Sequence, residues 1–134
     1  RASRPIPADS TTARQTVIDV AKATTVKLLS YTPANADKEL TDAATLLTGR
    51  FRDSYSQLIN ETVIPGAKEK QVTATATVPA AAVESLTAET AALIVFINQT
   101  VTVGTEAPTD TASSVRERLK NVNGTWLIEA FDPL

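Results

Sequence analysis

Near residue 66 the spacing of apolar residues changes, and that change limits what the chain can fold into. Before it, apolar residues recur every three or four positions; after it, they alternate with polar ones. The first spacing places side chains on one stripe of a helix, and the second places them on one face of a strand. Helices first and strands afterwards do not supply the interleaved elements of a parallel sheet. The order predicts an α+β domain, with N-terminal helices packed on a curved four-stranded antiparallel sheet.

Residues 1–9, "RASRPIPAD", are basic, Pro-rich and aperiodic, and read as a linker ahead of a single domain over 10–134. From about Ser10 a helical stripe runs through Ala13, Val17, Val20, Ala21, Thr24, Leu28 and Tyr31, and Pro33 stops it. Thr12 and Gln15 have the spacing of a capping box at its start. A second helix is expected over 35–47, with Leu40, Ala43, Ala44 and Leu47 inward. A third, over 51–64, carries Phe51, Tyr55, Leu58, Ile59 and Val63 on a stripe, and Pro65-Gly66 should end it.

Strands follow over 70–78 and 89–103, then a loop over 104–112 and a closing hairpin. The hairpin strands are 114–122 and 125–131, joined by Asn123-Gly124, the pair best suited to a type I′ turn. Period two puts Trp126 and Ile128 on one face of the last strand, and Leu127 and Phe131 on the other. Trp126 is expected beneath the helices.

Composition excludes several kinds of chemistry. At 134 residues the chain makes one domain with a core of useful size. Its net charge of −2, with the charges well mixed, gives no electrostatic footprint for nucleic acid. Without Cys there is neither a disulfide framework nor a thiolate metal site, and without His the commonest general base and metal ligand are missing. No cofactor, metal ligand set or Gly-rich phosphate loop is expected. The longest apolar run, "AALIVFI" at 91–97, is too short to cross a bilayer, which takes about 20 residues. Residues 1–134 contain no signal peptide, and they begin at Arg1 without a methionine, so what precedes Arg1 could be a signal peptide or a membrane span.

A few residues remain as candidates. Glu117 shares a strand face with Val115 and Leu119, so it can point inward and act as a general base with a raised pKa. The simpler reading, an acid near the sheet end paired with a neighbouring Arg, is preferred. Asp53 and Tyr55 are candidates for a polar pair, although a Tyr at that spacing more often belongs to the core. Arg116, Arg118 and Lys120 alternate along one strand and share a face. They form a candidate docking stripe for an acidic partner or anionic lipid headgroups; the plainer account is a solvated sheet face. Val17, Leu28, Phe51, Tyr55 and Trp126, with Glu117, would line any apolar pocket, and core filling explains the same residues. The sequons at Asn60, Asn98 and Asn123 read as coincidence.

Four strings taken together carry a family resemblance: "LLTGRFRDSYSQL" (46–58), "TVIPGAKEKQVTATATV" (62–78), "AALIVFINQTVT" (91–102) and "LKNVNGTWLIEAFDP" (119–133). In order and spacing they resemble the Mce-associated membrane proteins of mycobacteria and related actinobacteria. The resemblance implies a cone-shaped, nuclear-transport-factor-2-like domain, similar in outline to cystatin. It also implies one N-terminal transmembrane anchor before Arg1, with the domain outside the cytoplasm. The implied role is a non-enzymatic accessory of an Mce lipid or sterol importer, acting through contacts with Mce complex proteins and in some cases lipid. It supplies no catalytic motif. Two alternatives share the architecture: a periplasmic assembly domain of a type IV secretion or conjugation system, and a cone-fold isomerase or dehydratase.

Overall fold

A computed structural model describes residues 10–134; the expected linker over 1–9 lies outside the described residues. Helices α1 (Thr11–Leu29), α2 (Ala36–Ala44) and α3 (Gly49–Leu58) come first. A π turn (Ile59–Val63) then leads into α4 (Ile64–Lys70). Strands β1 (Val72–Leu86), β2 (Thr90–Val103), β3 (Thr109–Val122) and β4 (Thr125–Pro133) form one antiparallel sheet in sequence order. The helices cover one face of it, as the change of period predicts.

Helix α1 is capped by Ser10, whose hydroxyl accepts from the Ala13 amide at 3.0 Å, and not by the expected Thr12. Its inward face is Val17, Ala21, Thr24, Thr25 and Leu28. Beyond its end, the Tyr31 backbone exchanges two 2.9 Å hydrogen bonds with Ala74 and covers part of the β1 edge. In α2 and the turn after it, Leu40, Ala43, Ala44 and Leu47 are all buried, as expected.

The third helix does not end at Pro65-Gly66. A proline inside a regular helix lacks a donor and strikes the carbonyl four residues back. Here the turn ahead of Pro65 widens to π geometry, and the chain continues as α4 with Pro65 in its first turn. The residue inserted by a π turn rotates the helical face. Leu58, expected inward, lies at the end of α3 before the π turn and is 53% exposed, while Ile59, one position on, is buried. The run ends at Gln71, in the left-handed region at φ 55°.

Strand β1 alternates as expected, with Ala74 and Ala76 buried, and it continues beyond residue 78. Pro79 is tolerated because β1 is an edge strand and its register shifts between Thr77 and Ala80. β3 begins at Thr109, so the expected loop over 104–112 shrinks to 104–108. At the hairpin tip Asn123 has φ 52° and Gly124 φ 89°, the two positive values a type I′ turn demands. The Asn121 side chain accepts from the Gly124 amide at 2.8 Å. Gly124→Val should therefore cost about 1–3 kcal/mol in a denaturant titration. An unchanged midpoint would contradict this turn.

In β4, Ile128 lies opposite Leu119 and Ala130 opposite Arg118, which leaves Glu129 as an extra residue. The bulge reverses the alternation. Phe131, expected on the far face, turns to the helix side opposite Glu117 and stacks on Phe51, with ring centroids 5.7 Å apart. Trp126 keeps the face of Ile128 but is only half-buried, at a rim groove with Thr16, Val20 and Ala23 of α1 and with Leu46. Ile128, not Trp126, is the fully enclosed anchor. Leu46 and Thr48 bond to its backbone at 3.1 and 2.9 Å and cover the β4 edge.

Candidate functional site

Strand alternation turns Glu117 inward between Val115 and Leu119, and α1 closes over it. The carboxylic group has no exposure. Thr25 donates a hydrogen bond to its Oε2 at 2.5 Å, and its Oε1 has no partner among the described residues. Burial raises its pKa from 4.5 to about 7, and the Thr25 hydroxyl pulls weakly the other way. The expected Arg partner is absent for a geometric reason: Arg116 and Arg118 belong to the opposite face of β3. Thr25 itself falls outside the expected α1 stripe. Only a search for a polar residue facing an inward acid would have selected it.

A carboxyl with a raised pKa suits proton transfer, provided a substrate can reach it. Here it is sealed in. A surface groove of about 560 Å³ between α1 and α2 is lined by Val26, Lys27, Asp42 and Leu46, among others. Another of about 480 Å³ also adjoins the C-terminal end of α1, beside Leu29, Gln99 and Phe131. Glu117 lines neither. Among the described residues no group of His, Cys, Asp and Glu is arranged to hold a metal ion.

The other candidates separate. Tyr55 is buried and its hydroxyl donates to the Leu28 carbonyl at 2.8 Å, satisfying one of the last carbonyls of α1. Burial, with a smaller contribution from Tyr31, pushes its pKa up. Asp53 is exposed, so the Asp53–Tyr55 pair does not form. Val17, Leu28, Phe51, Tyr55 and Trp126 all join the hydrophobic core or pack against it. Core filling accounts for them, apart from the part of Trp126 that lines the rim groove.

Arg116, Arg118 and Lys120 do share the sheet face away from the helices. They are not equivalent. Arg116 makes a two-pronged contact with Glu84 of β1, at 2.7 and 3.1 Å, and this lowers the Glu84 pKa. Arg118 and Lys120 are exposed. Phe96, on the same face, is 46% exposed. Its outward position in β2 follows from alternation with the buried Val95 and Ile97.

Among known proteins, the outer membrane protein Rv1973 of Mycobacterium tuberculosis is 48% identical over 126 residues, covering 94% of this chain and 79% of its own. The chain belongs to the family of Rv1973. The mycobacterial kinship expected from the sequence is thereby shown, while the relative's name carries no Mce designation. No protein-family model matches. In structure, the domain is similar to an IcmL-like type IV secretion system protein of Legionella pneumophila, with a TM-score of 0.77 at 9% identity over 90% of this chain and 91% of that one. The periplasmic domain of DotI gives a TM-score of 0.74 at 17% identity over 99% of both chains. At such identities the likeness is one of fold. It supports the helix-on-sheet cone drawn from the sequence.

Proposed function

We propose that this domain is a non-catalytic, extracytoplasmic assembly module of an envelope-spanning transport machine, working through protein contacts. The observation that carries the proposal is the end-to-end correspondence with the DotI periplasmic domain. The sealed position of Glu117 argues in the same direction, since the buried acid has no route to a substrate.

Two machines fit the module. The likeness to secretion-system domains favours an assembly role of the type IV secretion kind. The motif strings favour an accessory role in an Mce lipid importer. Either role places the domain outside the cytoplasm, and the Mce resemblance adds an apolar anchor ahead of Arg1. The relative's designation as an outer membrane protein supports an envelope location.

Cross-linking the tagged full-length protein in its native host, followed by mass spectrometry of the captured complex, tests the proposal. Components of a secretion or conjugation apparatus would support the first reading, and Mce proteins the second. Recovery of the protein alone would contradict both. Turnover of a steroid enone that Glu117→Gln abolishes would replace them with the isomerase reading.

A further inference from the structure

One face of the sheet carries the helices. Over the other, no element is laid among the described residues. On this open face β3 presents Asp110, Ala112, Ser114, Arg116, Arg118 and Lys120 in that order. The order runs from an acid, through small neutral residues, to bases. Asp110 accepts from the Thr100 hydroxyl at 2.7 Å and is exposed. Arg116 is neutralised by Glu84. Arg118 and Lys120 have no ion pair among the described residues, and Arg118 adds only a longer-range field at Glu84. The strip therefore has a negative end and a positive end, about 33 Å apart at strand rise.

Near its midpoint, Phe96 pairs with Ser114 on one side and Ala80 on the other. Ala80, Ala82 and Ala112 are exposed and small, and Ile94 is half-exposed. An exposed aromatic ring among small residues, ringed by polar ones, has the composition of an interface centre.

Such a strip is complementary to its own reverse. We infer that a second copy of this chain docks on the open face, about a two-fold axis that lies between the sheets and runs across the strands. That axis lays β3 of one copy over β3 of the other in opposite directions. Asp110 then faces Arg118 and Lys120 of the second copy, twice over, and the two Phe96 rings meet near the axis. An axis running along the strands would instead set Lys120 against Lys120. The small residues let the sheets approach to about 10 Å. An acidic foreign partner or an anionic membrane would meet the cations but would set like charge against Asp110. The reversed copy satisfies both ends.

The pairing goes beyond the assembly reading and does not depend on which machine the domain serves. Sedimentation velocity on the full chain tests it, with circular dichroism to check folding. The wild type should show a concentration-dependent dimer that weakens as salt rises. Phe96→Glu should raise the dissociation constant about thirtyfold or more. Asp110→Lys and Lys120→Asp should each weaken the dimer, and the two combined in one chain should restore much of it. Ser114→Cys, in a chain with no other cysteine, should be joined to its counterpart by a short bis-maleimide cross-linker, since sheets about 10 Å apart are too far for a direct disulfide. A monomer at every concentration in low salt, a dimer indifferent to Phe96→Glu, no rescue by a folded double variant, or no Ser114→Cys cross-link would each overturn the inference.

Discussion

Glu117→Gln should flatten the pH dependence of stability between about pH 4.5 and 7, the range set by its unfolded and folded pKa values. The folded state holds this proton more tightly than the unfolded chain does. Stability from that proton is fully present below 4.5, falls as the pH rises, and is lost once the pH passes the folded value of about 7. A shift of this size corresponds to about 3 kcal/mol, a large share of the stability of a small domain. Urea titrations at several pH values should show the wild type weakening toward neutrality and the Gln variant holding nearly level. If both curves bend alike, the bend belongs to other groups and Glu117 is less enclosed than described.

Ile128→Ala should cost about 3–4 kcal/mol, and Trp126→Ala less, although tryptophan is the larger side chain. Ile128 has no exposure and sits in the strand that the bulge at Glu129 bends toward α3, whereas Trp126 keeps one side open to a groove. Side-chain size alone gives the opposite ranking. Denaturant midpoints of the two variants decide between burial and size, and a costlier Trp126→Ala would move the anchor back to the tryptophan.

The two periods were enough to read the order of helices and strands, because each half of the chain buries one face and spaces its apolar residues accordingly. The places that escaped are those where one inserted residue changes the phase. The π turn before Pro65 carries the helical run past the proline, and the bulge at Glu129 turns Phe131 inward. Neither insertion leaves a mark on a period count, since it is the strain or the packing that selects it. The inward direction of Glu117 was legible from Val115 and Leu119. Its partner was not, because Thr25 meets it across 92 residues of chain. Likewise the alternation of Arg116, Arg118 and Lys120 was visible, but their inequality depends on Glu84, which lies in the part of β1 beyond the expected strand over 70–78.

The central claim is that the domain works by contact and not by chemistry. It is tested most directly by measuring how much envelope transport complex assembles in a strain lacking this protein, using native gels of membranes. Deletion should deplete the complex, and wild type and Glu117→Gln should restore it equally, because the buried carboxyl supports the fold and transforms nothing. A complex that assembles normally without the protein, or a folded Glu117→Gln variant that fails to restore it, would contradict the account.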